Sequence, residues 1–195
     1  MITVAKANKA FRATHKPDPA YRAFSAKDRK RLGKRLPEIM LSLLDRDGWC
    51  SYDDQLFWLC DPDDWEKAAR PWLPEEATAC DVLVRSSFGD LLVWDGERFW
   101  LVLPHLSQRI GQTSDPNWLF GSALGNVGVH FHGDLADETA AARKACGPLE
   151  WDQIYNYAPA LALGGSAADA EIAREKGVVA LSILSQLAPI EAIVF

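Results

Sequence analysis

The chain has 195 residues, of which 48% are hydrophobic and 25% charged, so it can bury a core without help from disulfides or metal. It has no apolar run near the roughly 20 residues that a membrane span needs, and no apolar segment follows the basic N-terminus as in a secretory signal. We therefore expect a cytoplasmic protein with no membrane partner, whose four cysteines are free thiols.

The charge is distributed unevenly along the chain. The net charge is -6, but residues 1–36 carry a net charge of +9 and residues 37–195 carry -15. The densest acidic stretch, residues 45–66, holds eight Asp and Glu against the single Arg46. A field of this sign repels nucleic acid and attracts basic proteins or cations, although a solvated acidic face that maintains solubility is an alternative.

The N-terminal part of the chain predicts an arm followed by a helix. Residues 1–24 are polar and basic, include two prolines, and are typical of a loosely attached arm. Apolar residues at helical spacing predict an amphipathic helix over residues 25–46, with Ser25 as its N-cap and a basic outer face on its first half. Pro37 is expected to break or kink this helix, so two shorter helices are an alternative.

Strands dominate the middle of the chain. A short apolar strand is predicted over residues 55–60, and Asp61 followed by Pro62 then predicts the start of a helix. Between two apolar alternating runs, Asp95-Gly96 is a strong hairpin signal. The predicted strands of this region are residues 81–88, 90–95 and 98–103.

The second half of the chain predicts an irregular loop at residues 104–117 and then several helices. Alanine-rich or apolar segments predict helices at residues 136–146, 167–176 and 178–187. We therefore expect an α+β fold, with an antiparallel β-meander sheet packed with N-terminal and C-terminal helices. The predicted units are a basic arm (1–24), a first domain (25–125) and a small helical domain (126–195) packed against it.

Catalytic motifs are weak in this sequence. Alternate residues on a predicted strand place His130 and His132 on one face, and with Asp134 they are a candidate site for a divalent metal. A strand end with two partly exposed histidines explains the same pattern. Since no nucleophile elbow or phosphate-binding loop occurs either, we expect no catalytic residue, cofactor or metal, and no enzyme.

The eight tryptophans are several-fold more than usual for this length. Most of them are expected in the core. Trp49, Trp65 and Trp118 lie next to loops and acidic residues, where tryptophan is enriched at protein-binding hot spots.

The order of several motifs resembles a known pair of bacterial domains. Residues 36–39, 56–65 and 87–94 resemble the GAD-like domain, with Gln55 at a position where that family leads us to expect glycine. Residues 154–165, which read Ile-Tyr-Asn-Tyr-Ala-Pro-Ala-Leu-Ala-Leu-Gly-Gly, resemble the small domain that follows it in immunity proteins of type VI secretion, of the Tde/Tdi kind. The predicted domains 25–125 and 126–195 correspond to these two modules.

This resemblance implies an immunity protein that binds a cognate secreted toxin, often a DNase, as a one-to-one complex and covers its active site. A stand-alone ligand-binding or regulatory module without a toxin is the alternative, and a metal-dependent enzyme using His130 and His132 is a third. We predict that the toxin-binding residues lie in two acidic turns and in the loop at residues 107–118. They are Asp53, Asp54, Asp61, Asp63, Asp64, Trp65, Arg109, Gln112, Asp115 and Trp118.

Overall fold

The computed structural model describes residues 2–123 and 135–193 and contains seven α-helices and nine β-strands in that part of the chain. The helices are α1 (Val4–Thr14), α2 (Ala26–Leu32), α3 (Glu38–Asp47), α4 (Pro62–Ala69), α5 (Pro116–Trp118), α6 (Leu135–Cys146) and α7 (Gly177–Leu184). The strands are β1 (Ser51–Tyr52), β2 (Phe57–Leu59), β3 (Asp81–Ser86), β4 (Leu91–Trp94), β5 (Phe99–Leu103), β6 (Gln108–Gly111), β7 (Gln153–Ala158), β8 (Glu171–Lys176) and β9 (Glu191–Ile193). None of the helices in these two ranges has the length and apolarity that a membrane span requires.

Seven strands form one sheet in the order β1-β2-β3-β4-β5-β6-β9, and β7 pairs with β8 in a second, two-stranded sheet. All neighbours in the large sheet are antiparallel except β6 and β9. Gly96 has a φ of +104° in the β4–β5 connection, which is the left-handed region that favours glycine. The predicted α+β fold, the antiparallel meander and its Asp95-Gly96 hairpin are confirmed.

Both faces of the large sheet are buried, which explains why its strands are almost continuously apolar. Along β5, Phe99, Leu101 and Leu103 pack into one hydrophobic cluster with α1, α2, α3 and α6. Trp100 and Val102 point the other way, into a second cluster with α4 and α7. The sheet is therefore a central layer between two sets of helices, as the two-residue period of a strand requires.

The N-terminal segment differs from the predicted loose arm. Helix α1 occupies Val4–Thr14, and its apolar residues Ala7 and Phe11 are fully buried. Phe11 contacts Tyr52, Phe57 and Phe120, so α1 is part of the main core. The basic residues of this helix lie on its exposed side, which explains why the segment has the composition of a loosely attached arm.

The predicted capping residues are confirmed, and Pro37 divides the predicted helix in two. Ser25 caps α2 in a reciprocal capping box with Asp28, and Pro37 stands at the N-cap of α3. Asp61 caps α4 and accepts a hydrogen bond from the backbone N–H of Asp63, with Pro62 at the first helical position. These signals are local, so tertiary contacts did not alter them.

Two predictions in the second half of the chain are wrong. The helix expected at residues 167–176 is instead strand β8, which pairs with β7 over six residue pairs. The C-terminal part is consequently not a purely helical unit. The loop expected at residues 104–117 contains strand β6, which pairs with β5, and the start of α5. At residues 167–176 helical propensity amounts to tenths of a kcal/mol per residue, and pairing with β7 outweighs it. At residues 108–111 pairing with the edge of β5 gives an extended backbone to a segment without a strand signal.

We predict that Gly177→Ala destabilises the contact between α7 and α4. A Cβ at Gly177 would lie 2.5 Å from Cη2 of the buried Trp65 ring and 3.1 Å from Cγ2 of Ile154. Forcing a methyl group into such packing costs about 1–3 kcal/mol. Urea unfolding measures this loss, with Val179→Ala, an exposed position on the same helix, as the control. Equal stability of the two variants would contradict the packing described.

Candidate functional site

A strained turn joins β1 to β2. Asp53, Asp54 and Gln55 have φ values of +54°, +58° and +72°, so three successive residues other than glycine adopt the left-handed region. Each of them costs about 1–2 kcal/mol relative to ordinary backbone. Such strain persists only where surrounding contacts fix the conformation, and it is concentrated at functional sites.

Two segments distant in sequence hold this 53–55 turn. The Asp18 carboxylate accepts hydrogen bonds from Ser51 Oγ (2.6 Å) and from the backbone N–H of Gln55 (2.9 Å) and Asp54 (3.2 Å). The Gln55 side chain donates from Nε2 to the Leu149 carbonyl (3.0 Å), and its Oε1 accepts from the Leu149 N–H (2.9 Å). The turn is thus anchored to the N-terminal segment and to the chain before β7.

The structure explains why glutamine stands where glycine is expected. The backbone of Gln55 has the conformation that favours glycine, but its side chain forms two hydrogen bonds to Leu149 that glycine cannot form. We predict that Gln55→Ala, which loses both bonds and keeps the strain, is destabilised by about 2–3 kcal/mol. Gln55→Gly relieves the strain and is expected to be about 1 kcal/mol more stable than Gln55→Ala. Chemical unfolding of both variants tests this order, and the reverse order would contradict it.

The two aspartates of the turn have different environments. Asp53 is only 2.5 Å from Nδ1 of the buried His15 and also accepts a hydrogen bond from the backbone N–H of Lys16 (2.9 Å). The Asp54 side chain is 90% exposed and forms an ion pair with Arg143 of α6 (3.1 Å). Asp53 therefore anchors the turn, whereas Asp54 presents its carboxylate to solvent.

Beside the turn lies a cavity of about 360 Å³ with aromatic walls, which we call the aromatic cavity. Tyr21 and Trp151 stack with ring centroids 5.6 Å apart and planes 11° apart, and Tyr21 also lies against Trp58 at 6.1 Å. Tyr21 is 37% exposed and Trp151 39%, whereas Trp58 is buried. The cavity is lined by Asp18, Pro19, Tyr21, Ser51, Asp54, Gln55, Trp58, Arg143, Leu149, Glu150 and Trp151.

A buried arginine supports the back of the cavity. The guanidinium of Arg85 lies 4.6 Å from the centre of the Trp58 ring and donates from Nη2 to the Trp151 carbonyl (2.9 Å). Among the described residues Arg85 has no carboxylate partner, and desolvation lowers its pKa to about 10. Arg85 thereby fixes the backbone of Trp151 against the β3 strand.

Arginines from the N-terminal region neutralise much of the acidic stretch. Asp61 is 4% exposed and accepts hydrogen bonds from Arg22 (2.7 Å) and Arg31 (2.6 and 2.9 Å). Asp63 pairs with Arg31 and with Arg35 (2.7 Å). Part of the uneven charge of the sequence is therefore an internal ion-pair network, and less of the acidic stretch faces solvent than its composition indicates.

Hydrogen bonds lower the pKa of the carboxylates in this network. Burial by itself raises the pKa of Asp28, but bonds from Ser25 and Arg31 outweigh burial and bring the pKa to about 2. Burial likewise opposes the effect of Arg31 and Arg22 on Asp61, whose pKa is also lowered. Asp64 differs, because burial and the neighbouring Asp61 raise its pKa.

The structure does not bring the predicted contact residues together. Trp65 is buried under Gly177, and Asp61 is enclosed by arginines, so neither is accessible to a partner. Arg109 donates to the Trp72 carbonyl (3.1 Å), and Asp115 caps α5. The other members are placed as follows: Asp63 in the ion-pair network, Asp53 and Asp54 in the turn, Asp64 exposed on α4, Gln112 half-buried after β6, and Trp118 exposed at the end of α5.

The metal candidates His130, His132 and Asp134 lie outside the described residues. Within residues 2–123 and 135–193, no group of three or more His, Cys, Asp or Glu side chains is arranged to hold a metal ion. The described part of the chain thus offers a surface cavity with aromatic and charged walls as its candidate site.

Comparison with known proteins identifies one part of the chain. The family model of the GAD-like domain matches residues 9–105. The chain contains a GAD-like domain. This domain starts within α1 and ends after β5, so Tyr21, Trp58 and the 53–55 turn belong to it, whereas Arg143, Leu149 and Trp151 come from the chain that follows.

The fold has a solved counterpart. The chain is similar to the crystal structure of Atu4351 from Agrobacterium tumefaciens, with a TM-score of 0.69 and 18% sequence identity. The similarity covers 91% of this chain and 87% of the other, so it extends beyond the GAD-like domain to the C-terminal elements. No curated protein matches the sequence. At this identity the similarity shows a shared fold. In this chain the aromatic cavity lies where the GAD-like domain meets the C-terminal elements.

Of the residues that line this cavity, the sequence predicted only Asp54 as a contact, and Tyr21, Arg143 and Trp151 are among those that it missed. Tyr21 falls within the predicted arm, and Arg143 lies on an alanine-rich helix without a motif. Trp151 stands between two acidic residues, Glu150 and Asp152, which was a usable signal, because an apolar ring in a charged context is unusual for a core position.

Proposed function

We propose that the chain is an immunity protein that binds a cognate toxin of a type VI secretion system, a DNase, and neutralises it inside the producing cell. It acts by binding one-to-one and covering the active site of the toxin, and it catalyses no reaction. The GAD-like domain is consistent with this type of protein. The observation that carries the proposal is the exposed Tyr21–Trp151 stack beside two carboxylates, those of Asp18 and Glu150, that form no ion pair with other described residues.

The chemistry of this surface fits a basic protein partner. A DNase needs a positive surface to approach phosphates, and an inhibitor covering that surface is best acidic with aromatic anchors. Asp18 and Glu150 line the aromatic cavity and form no ion pair with other described residues. Opposite charge accelerates encounter, while exposed rings supply the apolar contact that slows dissociation.

The position of the cavity also supports a binding role. It forms between the GAD-like domain and the C-terminal part, and pockets at such junctions are common binding sites. The strained 53–55 turn forms part of its wall, and Asp54 projects from that turn into solvent. Trp118, Gln112 and Arg109 stay predicted contacts on a separate part of the surface.

The proposal is tested by expressing the chain together with the toxin encoded in the neighbouring gene. We expect the two to co-purify as a complex whose mass corresponds to one copy of each. If the purified chain does not bind the product of the neighbouring gene by calorimetry, the proposal is wrong.

A further inference from the structure

We infer that the aromatic cavity receives the guanidinium group of an arginine side chain presented by the partner. This inference deepens the proposed function, on which it rests for the identity of the partner, and it names the chemical group that the surface recognises. It is argued from the rings that form the walls and from the charges around them.

The aromatic walls suit a planar cation. Tyr21 and Trp151 stack on each other at 5.6 Å, so neither a ring nor a cation fits between them, and both residues line the cavity. Arginine stacks on aromatic faces more readily than lysine because its guanidinium is flat and more weakly hydrated. The chain already contains this contact, since the Arg85 guanidinium lies over the Trp58 ring at 4.6 Å.

The charges around the cavity favour a cation. Among the described residues three carboxylates line it, those of Asp18, Asp54 and Glu150, against one cation, that of Arg143. Arg143 pairs with Asp54, whereas Asp18 receives hydrogen bonds only from neutral donors and Glu150 has no ion pair among the described residues. If the buried charge of Arg85 behind Trp58 is counted as well, three carboxylates face two cations, so one negative charge remains in excess. This negative charge repels a phosphate or a nucleotide.

The wall of the cavity also includes a mostly buried indole. Trp58 is 94% buried, and its indole N–H, like those of Trp49 and Trp72 elsewhere, has no hydrogen-bond partner in the described part of the chain. The N–H itself is enclosed, so Trp58 contributes ring surface to the cavity and its N–H does not select the ligand.

The experiment uses the whole chain labelled with ¹⁵N and a small probe, so that it does not depend on the toxin. The probe is N-acetyl-arginine amide, and the control is N-acetyl-citrulline amide, which has the same shape without the charge. The indole N–H resonances of Trp58, Trp151 and Trp118 are assigned from single Trp→Phe variants and followed during titration. Trp118 is an internal reference, because it is as exposed as Trp151 but does not line the cavity.

We expect the arginine compound to shift the Trp58 and Trp151 resonances saturably at millimolar concentration, without a shift at Trp118 or with the citrulline compound. In the double variant Asp54→Asn, Glu150→Gln the half-saturating concentration is expected to rise about fivefold, because two weak charge contacts are removed. Equal shifts with the citrulline compound, equal shifts at Trp118, or no shift at Trp58 and Trp151 would overturn the inference.

A second arm separates this inference from the proposed function. If the toxin binds and the variant Trp151→Leu binds it with unchanged affinity, the inference is wrong and the immunity function stands. If the toxin does not bind at all, the immunity function is wrong, while the arginine titration still decides whether the cavity recognises a guanidinium.

Discussion

Replacing Asp61 by asparagine is expected to destabilise the fold by about 2–3 kcal/mol. Asparagine keeps the N-cap of α4, so the variant removes mainly the charge that neutralises Arg22 and Arg31. Removing one partner of a buried ion pair usually costs more, about 3–5 kcal/mol, but both arginines here are partly exposed and water compensates some of the loss. Urea unfolding at neutral pH measures the difference in the free energy of unfolding.

The same network gives the stability a defined pH dependence. The pKa of Asp28 falls from its ordinary value of 3.8 to about 2 on folding, and that of Asp61 is also lowered. A carboxylate with a lowered pKa in the folded state contributes stability above its unfolded pKa and loses it as the pH falls through the folded value. We therefore expect the free energy of unfolding to fall between about pH 5 and pH 2, less steeply in Asp61→Asn.

Asp64→Asn is the matched control for this prediction. Asp64 lies in the same turn of α4 but is mostly exposed, and partial desolvation together with the neighbouring Asp61 raises its pKa. Its replacement should leave the stability unchanged within about 0.5 kcal/mol. Equal losses in Asp61→Asn and Asp64→Asn would mean that the arginine network does not hold the helix in place.

Replacing Trp151 by alanine is expected to weaken toxin binding at least about 30-fold, equivalent to about 2 kcal/mol. Trp151 and Tyr21 form an exposed stack beside the aromatic cavity, and large aromatic anchors at the centre of an interface have the largest effects on affinity. The hydrogen bond from Arg85 goes to the backbone carbonyl of residue 151, so alanine retains it. Calorimetry with the purified toxin measures the change in affinity, and the unfolding midpoint verifies that the variant remains folded.

Trp118→Ala is the comparison for Trp151→Ala, because the two rings are 41% and 39% exposed. Because Trp151 lines the aromatic cavity and Trp118 does not, we expect the larger loss of toxin affinity in Trp151→Ala. A large loss at Trp118 with unchanged affinity in Trp151→Ala would place the toxin on the predicted loop at residues 107–118 instead.

Sequence patterns were sufficient for the sheet and for most helix starts. Strands β3, β4 and β5 are apolar runs separated by turn residues, and their alternating side chains enter two separate clusters. Caps such as Ser25 and Asp61 act within a few residues, so their signal survives in any tertiary context. The fold class followed from these local features.

The wrong predictions involve interactions between distant segments. Strand β8 has the composition of a helix, and only its pairing with β7 gives it an extended backbone. Likewise, the charge of the acidic stretch indicated an open surface, because the sequence does not show that Arg22, Arg31 and Arg35 fold onto Asp61 and Asp63. The candidate site could not be predicted for the same reason, since Tyr21, Trp58 and Trp151 are distant in sequence and meet only in the folded chain.

The central claim is that this chain neutralises a nuclease by binding it. The most direct measurement is the DNase activity of the protein encoded beside it, the proposed toxin, titrated with the purified chain. We expect activity to fall linearly and to end at one equivalent, with Trp151→Ala requiring a large excess for the same inhibition. Full nuclease activity at several equivalents of the chain would contradict the proposal.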